Sequence, residues 1–131
     1  MRLQRIRDYR LAKRVARGVQ RYNGVTLSAR RVLAQPHFSV VVKGKVAGWI
    51  GYERRGRGVY EIAHLSILPR FRRRGLAERA TGRVLGIMRR AGGRYVYARV
   101  RRSNYAPQRL LRKFAFKRVG GGRNLRLARR L

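Results

Sequence analysis

Any fold of this chain has to hold together against its own charge. Thirty-six lysines and arginines face four carboxylates, Asp8, Glu53, Glu61 and Glu78, for a formal charge of +32 in 131 residues. Self-repulsion at that level works against a compact state. Disorder, however, requires low hydrophobicity as well as high charge, and 44% of the residues are hydrophobic. A single folded domain over residues 1–131 is therefore expected, with one core. An anionic partner would relieve the repulsion. DNA, RNA or a ribonucleoprotein leads, because phosphates favour arginine and lysine through counterion release. A basic surface that is simply solvated is the alternative. There is no cysteine, which excludes disulfides, thiolate metal sites and a cysteine acyl intermediate; no metal is expected. No apolar run approaches the roughly 18 residues of a membrane helix. Met1–Arg7 lacks the apolar stretch of a signal peptide. A cytoplasmic location is expected.

Punctuation divides the chain without repeats or linkers. Residues 2–7 read as a strand, and Asp8 can cap a helix over 9–22, where Leu11, Val15 and Val19 recur on one face. Asn23-Gly24 ends it. A second helix is predicted over 26–33, stopped at Gln35-Pro36. Three strands follow, 38–42, 45–54 and 59–68, separated by Lys43-Gly44 and by Arg55-Gly56-Arg57-Gly58. A helix over 75–90 ends at Ala91-Gly92-Gly93. Then come a strand over 95–100, a helix over 104–113, and a hairpin of 114–119 with 124–130 around Gly120-Gly121-Gly122. The predicted order is β-α-α-β-β-β-α-β-α-β-β.

The stretch Leu65-Ser66-Ile67-Leu68-Pro69-Arg70-Phe71-Arg72-Arg73-Arg74-Gly75-Leu76-Ala77 carries the sharpest chemistry. An apolar strand stops at a proline, turns through a basic loop and opens a helix at Gly75. The first N–H groups of a helix lack intrahelical partners, and the macrodipole makes that end positive. A diphosphate fits there, and Gly75, without a Cβ, lets it approach the backbone. Arg72, Arg73 and Arg74 surround it with charge. An ordinary helix after a basic turn is the alternative.

This Arg-x-x-Gly-x-Ala pattern after a strand ending in x-Pro resembles the signature of the GCN5-related N-acetyltransferase (GNAT) superfamily, with Arg72, Gly75 and Ala77 at the signature positions. The element order resembles the whole fold of that superfamily. The resemblance implies an α/β (α+β) architecture, a mixed, mostly antiparallel sheet of about seven strands flanked by about four helices. It implies acetyl-CoA as cosubstrate, its pyrophosphate held by the loop through Leu76. It also implies that the strand before the loop splays from its neighbour, so that the backbone of Leu65, Ser66 and Ile67 meets the pantetheine arm and thioester.

Tyr60-Glu61-Ile62-Ala63-His64-Leu65-Ser66-Ile67 is similar to the strand of histone-acetylating members, whose catalytic glutamate sits where Glu61 sits. Glu61 could take a proton from an amine, directly or through water; an isolated glutamate among arginines could equally be a salt-bridge partner. His64 is a second candidate base. The place on the following strand where other relatives carry their base is Arg99. A second family pattern, Asn-x-x-Ala-x-x-Leu-Tyr-x-Lys-x-Gly-Phe, is matched by Asn104, Leu110, Lys113 and Phe116. Pro107 and Ala115 stand in place of its alanine and glycine, and Leu111 in place of the tyrosine that commonly protonates the departing thiolate. Tyr105 can substitute only if it points inward. Asn104 would bond the cofactor arm or cap its helix.

A strongly cationic enzyme suits an anionic acceptor, or an amine carried on nucleic acid, better than a cationic one. Tyr95 and Tyr97, among arginines, suit base stacking or core packing. Three functions follow: an N-acetyltransferase for such an acceptor, a GNAT-like nucleobase-modifying enzyme, or a non-catalytic GNAT-like module binding nucleic acid or a ribonucleoprotein.

Overall fold

The computed structural model describes residues 1–131. Strand β1 (Arg2–Arg5) leads into helix α1 (Tyr9–Gly18), where Asp8 Oδ2 accepts the Leu11 N–H at 3.1 Å. The single helix expected to Tyr22 instead widens into a π turn, Val19–Asn23, closed by Gly24 at φ 67°. Such turns cluster at functional sites. Helix α2 (Ala29–Ala34) starts later than predicted, because Ser28 is its cap and accepts the Arg31 N–H at 3.1 Å. Then follow β2 (His37–Val42), β3 (Lys45–Gly56), β4 (Val59–Ile67), a 3-10 turn at Pro69–Phe71, α3 (Leu76–Arg90), β5 (Tyr95–Arg101), α4 (Tyr105–Lys113), β6 (Lys117–Gly121) and β7 (Asn124–Arg130). The order of strands and long helices is the predicted one.

The seven strands form one sheet in the order β1-β2-β3-β4-β5-β7-β6. Every neighbouring pair is antiparallel except β4–β5. Instead of one core there are two apolar clusters, because the sheet separates them. On one face Leu76, Ala80, Val84 and Met88 of α3 and Leu111 of α4 pack against Ile62, Val96 and Ala98. On the other, Ala12 and Val15 of α1 and Val32 of α2 pack against Ile6 and Trp49. Adjacent strand residues point to opposite faces, so Trp49 joins the second cluster while Ile50 joins the first. By the same alternation His37, Glu53, Glu61, Tyr97 and Arg99 share the α1/α2 face. The apolar cluster there stops at β3, and over β4 and β5 that face is polar.

The predicted strand over 114–119 begins only at Lys117. Phe114–Phe116 instead close α4: the Phe116 N–H donates to Leu111 O and the Ala115 N–H to Arg112 O. This is a Schellman closure, which places its C′ residue in the left-handed region. Helix α3 ends the same way with Gly92, at φ 87°. Helix α4 does it with Ala115 at φ 65°, where an L-residue pays roughly 1–2 kcal/mol. Ala115→Gly should therefore stabilise the chain by about 0.5–1 kcal/mol after glycine's entropic cost. Chemical denaturation checks this; an unchanged or lower stability would mean the strain is relaxed elsewhere.

Candidate active site

Strands β4 and β5 are paired over three residues only, Val59–Glu61 with Tyr95–Tyr97. Past that point they continue to Ile67 and Arg101 without pairing to each other. On its other edge β4 stays on β3, but the register slips: Trp49 faces Ser66 and Gly51 faces Ala63, so His64 and Leu65 oppose Ile50 alone. His64 takes φ 61° there, and such a bulge bends its strand. Side chains hold the freed edge. Asn23 Nδ2 donates to Leu65 O at 3.0 Å, and Arg72 Nε donates to Ile67 O at 2.8 Å. The Leu68 N–H turns to Ala47 O on β3 at 2.8 Å, so the N–H of Ile67, one residue earlier, faces the gap.

The gap lets one cavity of about 780 Å³ be lined from both faces of the sheet: by Thr81 and Leu111 from the α3/α4 side, and by Arg31 and Glu53 from the other. Its polar wall is a ladder of alternating charge. Glu53 and Glu61 are direct cross-strand neighbours, a repulsive arrangement by itself. Arg31 grips Glu53 through two bonds of 2.8 and 2.9 Å. Arg55 Nη2 bridges Glu53 at 2.6 Å and Glu61 at 2.8 Å. Arg99 closes on Glu61 with Nε at 2.8 Å and Nη2 at 3.3 Å. The Arg31 bond holds the Glu53 carboxyl below the usual glutamate range, against the opposing effect of burial. Glu61 lines the cavity, but both its oxygens are engaged by guanidinium groups, the salt-bridge role left open above.

His64 also lines the cavity. Its ring lies nearly coplanar with that of His37, at 13° with centroids 5.3 Å apart, and the two meet edge to edge, His64 Nδ1 lying 3.1 Å from His37 Nε2. His37 Nδ1 in turn lies 3.0 Å from Gln35 O. Burial, then the neighbouring His37, pull the His64 imidazole down to about 4, so it is neutral near pH 7.

Gly75 stands before α3 at φ 71°, and no side chain caps the helix. No atom lies within 4 Å of where a Cβ on Gly75 would stand, and the first amides of the helix, at Leu76 and Ala77, lack intrahelical partners. That geometry fits a diphosphate. The three arginines before it behave differently from one another. Arg72 turns back onto Ile67 O and over the Tyr22 ring. Arg74 lies against Phe71 and reaches Arg70 O at 3.5 Å. Arg73, at φ 64°, is exposed. Asn104 occupies the N-cap of α4 without a capping bond and lines the cavity, so its amide is free for a ligand. Leu111 is buried against the cavity. Tyr105 is 63% exposed and lines no part of it; pointing outward, it cannot substitute for the missing tyrosine. Asn23 and His37 escaped sequence reading. The first looked like a helix stop, and the second lies on another strand, with only its place on the α1/α2 face as a signal.

Residues 7–116 match the profile of the acetyltransferase (GNAT) family. Ard1 from Thermoplasma volcanium superimposes with a TM-score of 0.82 at 18% identity, over 99% of this chain and 97% of that one. The PaiA N-acetyltransferase of Thermoplasma acidophilum, solved in complex with coenzyme A, gives 0.77 at 15% identity over 100% of both chains. The ribosomal-protein-S18-alanine N-acetyltransferase of Escherichia coli gives 0.79 at 16%, over 98% of this chain and 92% of that one. At such identities the likeness is one of fold. No curated protein matches the chain at a significant level.

Glu53 is 3% exposed, so Glu53→Ala removes a buried side chain and the partner of Arg31, leaves Arg55 on Glu61 alone, and should cost about 1 kcal/mol or more. Its depressed carboxyl contributes stability that is present above the ordinary glutamate range and lost as pH falls through the lower folded value. Urea midpoints should therefore drop between about pH 5 and 3, less steeply in Glu53→Gln. Equal slopes in the two proteins would contradict the ladder.

Proposed function

Because the chain belongs to the acetyltransferase (GNAT) family, we propose that it moves an acetyl group from acetyl-CoA to a primary amine on an anionic or nucleic-acid-associated acceptor. The observation that carries this reading is the cavity through the sheet where β4 leaves β5. Acetyl-CoA supplies the acetyl group and a thiolate leaving group. The free amides of Gly75, Leu76 and Ala77 would hold its diphosphate, with Arg73 and Arg74 adding positive potential. The edge of β4 at Leu65, Ser66 and Ile67, with the Asn104 amide, would hold its arm. Arg72 serves that edge by fixing the Ile67 carbonyl. Of the two candidate bases, His64 has the open nitrogen; Glu61 acts on the same wall by orienting Arg55 and Arg99. With Leu111 in the acid position, the sulfur leaves as thiolate. A thiol ionises near 8.5, and the cationic wall favours the anion.

The acceptor class follows from charge. Arg31, Arg55 and Arg99 outnumber Glu53 and Glu61, and Arg21 and Arg101 also line the cavity. Such a wall repels polyamines and attracts carboxylates or phosphates. The Escherichia coli neighbour is named for a ribosomal-protein acceptor, and an amine on a ribonucleoprotein suits this chain's charge. One observation favours a phosphate-bearing partner in particular. Arg99 and Arg126 sit directly opposite across β5 and β7, an unfavourable like-charge pair. Arg126 lies 4.0 Å over the Tyr97 ring, in a cleft of about 300 Å³ shared with Arg55.

Calorimetry with acetyl-CoA tests the cofactor site. Gly75→Glu should weaken binding by a factor on the order of ten or more. Gly75→Asn, which tolerates the left-handed region but adds a Cβ where the diphosphate approaches, should weaken it less than Gly75→Glu. Equal affinities in all three proteins would remove the amides from the reading. Wild-type binding to DNA or RNA should fall steeply between about 50 and 200 mM salt; weak, salt-independent binding would sink the polyanion partner.

A further inference from the structure

Resting on that reading, we infer that His37 is a positioning residue for the transfer: with the Gln35 carbonyl it holds His64 as the Nδ1–H tautomer and leaves the His64 Nε2 lone pair free in the cavity.

The tautomers follow from one end of the chain of bonds. A backbone carbonyl only accepts, so the Nδ1 of His37 that faces Gln35 O at 3.0 Å carries a hydrogen. His37 is fully buried, where an imidazolium is disfavoured, and burial lowers its pKa accordingly. In the neutral ring Nε2 is then bare and accepts. The partner at 3.1 Å, His64 Nδ1, must donate. Neutral His64 is left with an unprotonated Nε2. That atom has no hydrogen-bond partner, yet it is not a buried unsatisfied group; it keeps solvent access on a residue that lines the cavity.

Two further features show that the pair is built in. His37 sits opposite Gly51 in the β2–β3 ladder. A Cβ on Gly51 would come within 2.3 Å of the His37 ring, so only glycine at that place admits the imidazole. His64 stands in the β4 bulge in the strained left-handed region, at φ 61°, and meets the His37 ring edge to edge from the next strand but one. An apolar pairing would fill the space without either feature.

The chemistry balances simply. As the acceptor nitrogen forms its bond to the thioester carbon, its proton passes to His64 Nε2, and sulfur departs with the electron pair of the broken C–S bond. The Nδ1–H stays with His64, bonded to His37. The charged groups around the pair come from every neighbouring element: Arg5 beside β2, Glu53 on β3, Glu61 on β4 and Arg31 on α2. The two carboxylates favour the imidazolium formed, while Arg31 and burial favour its return to the neutral base.

The test joins imidazole NMR on the chain alone with kinetics. Long-range ¹H–¹⁵N spectra at pH 7 should show His64 neutral and protonated at Nδ1, and His37→Leu should abolish that preference. In acetyl transfer, His37→Leu should lower kcat on the order of tenfold to a hundredfold with KM and the calorimetric affinity for acetyl-CoA kept. His37→Gln, whose amide can donate to Gln35 O and accept from His64, should restore most of the loss. A His64 protonated at Nε2 in the wild type overturns the inference. So does an unchanged kcat in His37→Leu, or a loss that His37→Gln shares while folded. Absence of transfer to any amine would instead sink the transferase reading, while the NMR still decides the tautomer.

Discussion

The early parting of β4 from β5 is the constraint on which the rest of the molecule depends. A parallel pair stabilised along its whole length would close the sheet. Here pairing stops at Glu61 and Tyr97, and a bulge at His64 bends β4 while β3 keeps hold of its other edge. An open strand edge is costly unless its polar groups find partners. The Asn23 amide and the Arg72 guanidinium supply them for two carbonyls. The π turn of α1 and the arginine of the basic loop are thus parts of one device that keeps the gap open.

The same gap explains how so cationic a chain uses its few acids. Asp8 caps α1, Glu78 reaches Lys113 between α3 and α4 at 3.6 Å, and the other two stand in the cavity wall. There Glu53 and Glu61 are almost wholly buried, and burial without guanidinium partners would expel either charge. Arg31, Arg55 and Arg99 satisfy them and still leave the wall with positive charge in excess. The remaining basic side chains stay largely in solvent, where screening limits their repulsion.

Much of this was legible residue by residue. The glycine and asparagine stops and the Gly75 turn read directly, because each reflects a local backbone preference. The boundaries that moved did so through caps: Ser28 delayed α2, and the closure at Ala115 absorbed residues that look like strand. Ala115 stands where the similar pattern has glycine, and it takes a left-handed φ that strains an alanine. The outward Tyr105 shows the reverse, a side chain whose type suited a role that its direction denies.

The amino-acid order by itself determined the run of elements, the basic turn into α3 and the large positive charge, because these rest on neighbours within a few positions or on composition alone. Tertiary structure decided how far β4 and β5 stay together, that Glu61 meets two arginines, that Asn23 props a strand, and that His37 meets His64. Those outcomes depend on register between segments distant in the chain. A slip of one residue moves a side chain to the opposite face of the sheet, and no local signal carries that choice.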